Sequence, residues 1–583
     1  MKKIIALIMA AAMILCIASC AKPQGDDTGD KVAFPKLTYL YNTGSGHQAI
    51  GEYIAGCYKQ YGVDLDLQNQ EWNTFLNTRK EGDYSVARNG WVADYTDPIC
   101  FLDMWITDSG NNDVQFGKGA HKDLAMYNLD LTGLGYDIKV ENGTWAQTYD
   151  VLIATIKACT NNETRYQLMH IAEDMLMDTG CIVPLYFYTD LYMINKNVKG
   201  FYSSPLGYKY FQNCTIEGKN EISVCLASEP DTIDPALNSA VDGATLIAHL
   251  FSGLAKWAQK DDGSLYIAPD LAENLVEGTV GEDGKVTYVY TLREGLKWSD
   301  GSDLKASDFV YSWNRAISSE LLADYEYMFD VVDGYADGKL NVTADDEART
   351  LTVVAANVSY WNELLAFPVY FPVKADVVAN EAWATDPATY VCNGPYKMTA
   401  WDHNSKIVIE KNENYYDAAN IKMGKVNFFL SDDANNMLAN FKNGDWQLID
   451  DVPTDEIATL KTEYPDEFVV AGQIGTYYVC WNINEDLLPG SKLTGVEKEK
   501  AQQEIRKALG LILDRNHICV DIAQGGQVPA SSFVAMGNKN PDNTEFYQTA
   551  GHNDGFYGYY DVSAEAYAAN CAAAQATLAK YYK

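Results

Sequence analysis

The sequence lacks the features that mark several common classes of protein. No segment is rich in Lys and Arg, and the 583 residues carry 44 Lys and Arg against 80 Asp and Glu, a formal net charge of −36. Because proteins bind nucleic acid through clustered basic side chains, this composition excludes a nucleic-acid-binding protein. After the first twenty residues, no apolar run reaches the length of about 18 residues that a transmembrane helix requires. With 47% hydrophobic residues, the rest of the chain is expected to be globular.

The motifs of the common catalytic and metal sites are also missing. The sequence contains no H-E-x-x-H, G-x-S-x-G or G-x-x-x-x-G-K-[ST] motif, and its seven His are scattered. Residues 302–305 satisfy S-x-x-K, but the other motifs of the serine β-lactam enzymes are absent, and Ser302 is expected to cap the helix that follows. We therefore predict a protein that is not an enzyme and has no metal or other cofactor.

Cysteine forms no recognisable site. Two of the twelve cysteines lie in the first twenty residues, and the other ten form no C-x-x-C pair and no Cys/His cluster at zinc-ligand spacing. Most lie within apolar patterns, which is typical of buried free thiols. Disulfides between distant cysteines stay possible, and sequence alone cannot pair them.

The first twenty residues have the pattern of an export signal. Lys2 and Lys3 precede an apolar segment, and small residues precede Cys20. The ending at residues 17–20 resembles a bacterial lipobox, where cleavage leaves Cys20 as the lipid-carrying N-terminus; the alternative is plain secretion. Residues 21–31 are polar and are expected to form a flexible tether. We therefore predict an extracytoplasmic protein of the cell envelope, anchored to the membrane through lipid at Cys20.

Strand-like and helix-like patterns alternate through much of the chain. Short apolar segments at 37–41 and 63–67 are typical of strands, and apolar residues recur at helical spacing between them and at 164–177. This alternation predicts an α/β fold with sheets covered by helices. From 261 to 292, short β patterns and Gly/Asp turns instead predict a separate β-rich insert.

Three segments resemble a known family. They are residues 290–315 (YTLREGLKWSDGSDLKASDFVYSWNR), residues 69–72 (NQEW) with 82–98 (GDYSVARNGWVADYTDP), and residues 475–478 (GTYY). On these segments, the chain from about 31 to 583 resembles the oligopeptide- and dipeptide-binding receptors of ABC importers. The resemblance implies a two-lobed periplasmic-binding-protein-like fold of the class II, cluster C type, with an extra inserted domain. It also implies a monomeric receptor that captures short peptides between its lobes and delivers them to the permease subunits.

These segments occur in an unusual order. In the family, the segment matching 290–315 comes early and the one matching 69–98 comes near the end. Joining 581–583 to 32–39 would restore the family's passage from helix to strand, and 217–220 would bridge the family's last and first strands. We therefore predict a circular permutation, which is either natural or a product of gene assembly or engineering.

The resemblance also divides the chain. It implies a peptide-binding lobe of residues 32–189 and 475–583, a second lobe of 190–251 and 384–474, and a β-rich inserted domain of 252–383. Two other functions stay open: a receptor of the same fold for a metal chelate, haem or oligosaccharide, and a lipoprotein that senses or adheres without transport.

The resemblance assigns the charged groups of a peptide site. Asp94 would bind the peptide α-ammonium, although an Asp that closes a turn is the alternative. Arg88 would bind the carboxylate of a short peptide, unless it forms a buried ion pair with Glu71 or Asp83. His47 matches a position near the carboxylate of longer ligands, but a helix cap or a surface residue is the alternative.

The remaining candidates concern backbone and side-chain contacts. Gly90 and Trp91 lie on the strand that pairs with the peptide backbone in the family, where Gly allows close approach. Aromatic walls are expected from Trp72, Tyr188, Tyr325 and Tyr478, with ordinary core packing as the alternative for each. Two positions depart from the family pattern: Ala523 replaces a lysine, and Ser239 replaces an acidic residue found in some members.

Overall fold

The computed structural model describes residues 31–552 and 555–583. The predicted signal peptide, the predicted tether up to residue 30 and the predicted lipidation site Cys20 lie outside these residues. No helix within the described ranges is long and apolar enough to span a membrane.

Twenty-one strands are described. In chain order they are β1 Leu37–Asn42, β2 Leu65–Gln70, β3 Val86–Val92, β4 Tyr127–Asp130, β5 Lys139–Gly143, β6 Ile182–Ile194, β7 Tyr202–Ser203, β8 Lys209–Tyr210, β9 Glu221–Ala227, β10 Ala255–Gln259, β11 Leu265–Pro269, β12 Thr279–Val280, β13 Val286–Thr291, β14 Val342–Asp345, β15 Thr350–Ala355, β16 Tyr396–Asp402, β17 Lys406–Lys411, β18 Lys425–Leu430, β19 Leu448–Ile449, β20 Phe468–Trp481 and β21 Val528–Pro529.

The α-helices lie between these strands. They are α1 Ser45–Lys59, α2 Trp72–Glu81, α3 Val151–Ala158, α4 Asn162–Asp178, α5 Val241–Leu250, α6 Ala306–Ala316, α7 Trp361–Leu364, α8 Ala375–Val378, α9 Ala434–Asn443, α10 Ile457–Glu463, α11 Gly495–Leu511, α12 Arg515–His517 and α13 Tyr567–Tyr581. The predicted helix at 164–177 is α4, which begins two residues earlier because the Asn161 side chain accepts a hydrogen bond from the N–H of Thr164.

One mixed sheet of 11 strands forms the frame of the molecule. Its order is β16-β17-β18-β9-β19-β6-β20-β3-β1-β2, with β21 paired to β6. At one end, β1 runs parallel to β2 and β3; at the other, β9 runs parallel to β18 and β19. The long antiparallel strands β6 and β20 join these two groups. Both parallel groups agree with the predicted α/β class, whereas the sequence pattern did not indicate the antiparallel centre.

The pairing of β6 with β20 is interrupted in the middle. The register shifts between Gly472 and Thr476, so that one part of β20 pairs with residues 189–193 and the other with residues 182–187. The predicted lobe boundaries, at 189/190 and 474/475, fall beside this interruption. The division into lobes and insert stays a prediction.

The strands of the segment 252–383 form smaller sheets apart from the main one. These strands build an antiparallel sheet, β12-β13-β15-β14, and the hairpin β10-β11. Helix α6 packs on this sheet, and Trp313 donates from Nε1 to the carbonyl oxygen of Tyr370 at 2.8 Å. The expectation that Ser302 caps this helix is wrong: the helix begins after Lys305, whose N–H donates to Asp308, while the Ser302 hydroxyl donates to Asp300 at 2.6 Å.

The two ends of the described chain lie side by side. The N–H of Val32 donates to the carbonyl oxygen of Tyr581 at 3.0 Å. The N–H of Lys583 donates to the carbonyl oxygen of Val32 at 3.1 Å. The rings of Phe34 and Tyr582 stack with centroids 3.8 Å apart. This proximity is what a permutation requires, since the family's chain would run continuously here. The permutation itself stays a prediction.

The cysteines behave as the composition predicts. All ten cysteines from Cys57 to Cys571 are free, and nine of them are buried. Burial raises the pKa of several of these thiols, including Cys181 and Cys392, to about 12, which keeps them protonated and unreactive.

A buried carboxyl group anchors the loop after β21. Glu173 of α4 is fully buried, and its Oε1 accepts hydrogen bonds from the N–H groups of Phe533 and Val534, both at 2.8 Å. We expect Glu173→Ala to lower the free energy of unfolding by about 2–4 kcal/mol, because two buried N–H groups lose their acceptor and a cavity is left in the core. Denaturant titration measures this loss, and Glu173→Gln, which keeps an oxygen at this position, should retain most of the stability.

The same group makes stability depend on pH. Burial raises the pKa of Glu173 from 4.5 to about 8. Between these values the folded state holds a proton that the unfolded state has released, so the contribution of Glu173 to stability falls as pH rises. The stability of wild type relative to Glu173→Gln should therefore decrease from pH 5 to pH 8. A difference that is constant over this range would contradict the assignment.

Candidate functional site

A cavity of about 370 Å³ lies where the two groups of parallel strands approach each other. One wall comes from β3 and α2, and the opposite wall from the residues that follow β9, β18 and β19 together with the start of α5. Tyr325 and Phe367 of the segment 252–383 complete the lining. Eight of the nine predicted substrate-binding residues line this cavity; Tyr478 does not.

Asp94 follows the end of β3 and has no basic partner among the described residues. Its Oδ1 accepts a hydrogen bond from the Tyr325 hydroxyl at 3.1 Å, and the Cys100 thiol lies 3.7 Å from Oδ2. Burial raises the pKa of the Asp94 carboxyl well above its usual range. A carboxylate in this environment is costly without a cation, so Asp94 is suited to receive an ammonium group.

Arg88 lies on β3 and is 9% exposed. In the described part of the chain it forms no ion pair; in particular it does not pair with Glu71 or Asp83, the alternative raised by the sequence. Its guanidinium carbon lies 5.2 Å from the centre of the Tyr477 ring, and its Nε is buried without a hydrogen-bond partner. A buried guanidinium with a free donor is suited to bind a carboxylate.

The edge of β3 between these two charges is open. The Ala93 N–H donates to β20, so strand alternation directs the main-chain groups of Gly90 and Val92 to the opposite edge. There β1 pairs with β3 only at Val86 and Ala87, and no other described strand covers the rest. The Gly90 N–H donates to Oδ1 of Asn89 at 2.8 Å, so the Gly90 carbonyl oxygen and the main-chain groups of Val92 are the ones open to a ligand. An extended ligand can add to such an edge as a further strand.

Gly90 is required by a neighbouring side chain rather than by a ligand alone. A Cβ atom at position 90 would lie 2.1 Å from the Tyr188 hydroxyl oxygen. Trp91, the next residue, is buried and donates from Nε1 to the carbonyl oxygen of Cys100 at 3.0 Å, close to Asp94.

Gly90→Ala should therefore displace Tyr188 from the cavity wall. We expect stability to fall by about 1–3 kcal/mol, as in other overpacked sites, and ligand affinity to fall at least tenfold. Gly472→Ala is the matched control, because a Cβ atom there meets nothing within 4 Å in the same sheet. Thermal unfolding of both variants measures the loss of stability. An equal loss in Gly90→Ala and Gly472→Ala would contradict the expected displacement of Tyr188.

His47 lies in the first turn of α1 and lines the cavity. Its Nδ1 lies 3.1 Å from the Tyr477 hydroxyl. Burial, with a smaller effect of Arg88, lowers the pKa of His47 well below its usual range. The imidazole is therefore neutral near pH 7, and it can meet a ligand as a hydrogen-bonding group rather than as a cation.

The predicted aromatic walls are only partly present. Trp72, Tyr188 and Tyr325 line the cavity. Tyr478 is buried on the other face of β20, where its ring contacts Trp105 and Phe533 at centroid distances of 6.2 and 5.0 Å. Because successive strand residues point to opposite faces, the neighbouring Tyr477 is the one that faces His47 and Arg88.

The two positions that depart from the family pattern differ in their placement. The Ser239 hydroxyl donates to Asp324 at 2.8 Å and accepts from Lys80 at 2.9 Å, so it joins three separate segments at the cavity. Ala523 ends a π-helical turn and is not among the residues that line the cavity.

Much of the second wall was not foreseen from the sequence. Asp432, Asp450 and Asp451 line the cavity directly after β18 and β19, and Asp242 lines it from the first turn of α5. The sequence did contain a signal for this wall, namely acidic residues immediately after short apolar strands. Such residues come together because the carboxyl ends of parallel strands meet at one edge of the sheet.

The chain is similar to known bacterial proteins. The family described as "Bacterial extracellular solute-binding proteins, family 5 Middle" matches residues 18–113 and 267–580. The oligopeptide-binding protein OppA of Bacillus subtilis is 31% identical over 347 residues, which cover 57% of this chain and 59% of that protein. The periplasmic murein peptide-binding protein MppA of Escherichia coli is 28% identical over 328 residues, covering 54% and 57%. The chain thus spans a little under three-fifths of the length of these two relatives.

Solved structures agree with the fold. The murein tripeptide binding protein MppA of Escherichia coli matches with a TM-score of 0.51 at 26% identity, over 61% of this chain and 66% of that one. Burkholderia pseudomallei OppA matches with a TM-score of 0.50 at 23% identity, over 63% and 67%. These likenesses confirm the predicted two-lobed periplasmic-binding-protein fold. Since the family match covers more than half of the sequence, this protein belongs to the bacterial extracellular solute-binding proteins of family 5.

Proposed function

We propose that this protein is an extracytoplasmic receptor that binds short peptides between its two lobes and delivers them to an ABC importer. The observation that carries the proposal is that two ionisable side chains of opposite type, each without a charged partner, line the same cavity. Asp94 and Arg88 have no charged partner among the described residues, and the open edge of β3 lies between them.

A zwitterionic peptide complements each of these features. Its ammonium would pair with Asp94, its carboxylate would pair with Arg88, and its backbone would hydrogen-bond to the open edge at the Gly90 carbonyl oxygen and at Val92. Asp94 lies six positions after Arg88, so their Cα atoms are at most about 20 Å apart in an extended strand. Once the lengths of the two side chains are subtracted, the remaining distance suits a peptide of about two to five residues.

The same features disfavour the other solutes. An oligosaccharide carries no ammonium group to neutralise Asp94. Within the described ranges no group of three or more His, Cys, Asp or Glu could hold a metal ion. The relatives named above bind oligopeptides or murein peptides by their names, which supports the same substrate class here.

The remaining parts of the proposal rest on the sequence. Lipid at Cys20 would hold the receptor at the membrane beside the permease subunits, and the predicted tether would let it move between solution and transporter. The receptor would act as a monomer without catalysing a reaction. The adjacent chain ends and the order of the family segments support the circular permutation.

Native mass spectrometry of the purified protein with a mixture of short peptides tests the function. We expect complexes with single peptides of two to five residues. A folded protein that retains no peptide but binds another solute would overturn the proposal.

A further inference from the structure

The second wall of the cavity is acidic because of the sheet topology. Strands β18 and β19 both run parallel to β9, which lies between them, so their carboxyl ends meet at one edge. Asp432 is the second residue after the end of β18, and Asp450 and Asp451 follow β19 directly. All three line the cavity, and Asp242 joins them from the N-terminal turn of α5.

Half of the charged side chains that line the cavity have partners of opposite charge. Arg79 pairs with Asp113 at 2.7 Å, Lys209 pairs with Asp450 at 2.7 Å, and Lys80 pairs with Asp324. The proposed function assigns Arg88 and Asp94 to the two ends of a peptide. Three lining carboxylates are left without a basic partner in the described structure: Asp242, Asp432 and Asp451.

Two of the unpaired carboxylates, Asp242 and Asp451, are not simply solvated surface groups. Oδ2 of Asp242 is buried and has no hydrogen-bond partner. Burial raises the pKa of Asp242 and of Asp451 to about 6, so both are costly to ionise yet are mainly ionised at pH 7.5. A bound cation would remove this cost.

Other buried groups of the cavity also lack partners. Asn111 and Asp113 are each only 5% exposed and line the cavity. Nδ2 of Asn111 and Oδ1 of Asp113 have no hydrogen-bond partner among the described residues. Buried polar groups are rarely left unsatisfied, so the cavity is built for a ligand with polar side chains as well as a polar backbone.

We propose that the acidic wall formed by Asp242, Asp432 and Asp451 selects peptides that carry a Lys or Arg side chain. This inference rests on the proposed function, because it requires a peptide to occupy the cavity. After the termini are paired, the cavity has an excess of three negative charges, and a cationic side chain reduces that excess. Its long aliphatic stem can reach the opposite wall while the backbone stays at β3.

An uncharged side chain would leave the three carboxylates unpaired, and an acidic side chain would be repelled. Attraction between opposite charges is strengthened where water is excluded, so the discrimination should be large in a closed cavity. Lys and Arg are both compatible with the wall, because three carboxylates can accept either an ammonium or a guanidinium group.

Calorimetric titration of the purified protein at pH 7.5 tests this specificity. The ligands are trialanine and its variants with Lys, norleucine or Glu at each position in turn. Norleucine has the straight aliphatic chain of Lys without its ammonium group, so it separates charge from apolar contact. We expect Lys to bind at least tenfold more tightly than norleucine at one or more positions, and Glu to bind most weakly.

Three isosteric variants assign the effect to the wall. Asp242→Asn, Asp432→Asn and Asp451→Asn should each reduce the Lys preference at least threefold while leaving the affinity for trialanine nearly unchanged. Glu413→Gln is the matched control, since it removes one negative charge from a side chain that is 80% exposed. Unchanged melting temperatures show that the variants are folded. If a variant does not fold, the Lys preference of wild type still tests the inference.

The two proposals fail in different ways. If trialanine binds and Lys shows no advantage over norleucine, the acidic-wall inference is wrong and the peptide receptor stands. If the Lys preference is undiminished in all three variants, the wall does not select the side chain. If none of the tripeptides binds to the folded protein, the proposed function fails and the inference falls with it.

Discussion

Asp94→Asn will weaken the binding of a free-amine tripeptide by about 30- to 300-fold, because the cavity loses its charge-assisted bond to the ammonium group. The Asn side chain has the same shape and can still accept the 3.1 Å hydrogen bond from Tyr325. The fold and the aromatic wall should therefore be preserved. Calorimetric titration measures the change in affinity.

The N-acetylated form of the same tripeptide is the matched ligand for this variant. Acetylation removes the positive charge, so wild type and Asp94→Asn should bind it with affinities within about threefold of each other. An equal loss of affinity for both ligands would show that Asp94 does not bind the ammonium group and acts only through the shape of the cavity.

Arg88→Met will have an effect of similar size on the carboxyl end. Met fills the apolar space beside Phe75 and Tyr477 without the charge. We expect affinity for a tripeptide with a free carboxylate to fall by about 30- to 300-fold, since a buried charged pair is broken. The affinity for the C-terminally amidated tripeptide should change little. Competition against a labelled peptide measures both ligands in one assay.

Arg88→Lys refines the same test. Lys keeps the charge but cannot form the planar, two-pronged contact of a guanidinium group with a carboxylate. Its affinity for the free-acid tripeptide should lie between those of wild type and Arg88→Met. The ratio of the affinities for the free-acid and the amidated tripeptide can be compared among wild type, Arg88→Lys and Arg88→Met. If this ratio is the same in all three proteins, Arg88 has no role in binding the carboxylate.

The sequence predicted the first wall of the cavity well because that wall is one continuous stretch of chain. Residues 88–94 lie on β3 and its end, so their spacing along the chain translates directly into positions along one strand. The resemblance marked this stretch, and Arg88, Gly90, Trp91 and Asp94 all line the cavity. Tyr478 shows the limit of this reasoning, because a shift by one residue on a strand moves a side chain to the opposite face.

The second wall could not be assembled from the sequence because its residues are far apart in the chain. Asp242, Asp432 and Asp451 come from separate segments, and only the parallel order β18-β9-β19 brings two of these segments to one edge. The ion pairs that neutralise Lys80 and Lys209 likewise join distant segments. Which acidic residues stay unpaired therefore depends on tertiary structure, and net charge alone does not reveal it.

The fold shows the same division between local and distant features. Helix α4 and the strand β1 follow from local patterns and lie close to their predicted positions. The antiparallel pairing of β6 with β20 joins segments nearly 300 residues apart, and no periodic pattern reports such a contact.

The central claim is that the cavity binds a peptide through both charged ends. The most direct measurement is calorimetric titration of wild type with one tripeptide and with the same tripeptide acetylated at its N-terminus and amidated at its C-terminus. The account predicts that the free tripeptide binds and that capping both ends reduces affinity by at least 1000-fold, which is about 4 kcal/mol. Equal affinities for the two forms would contradict it.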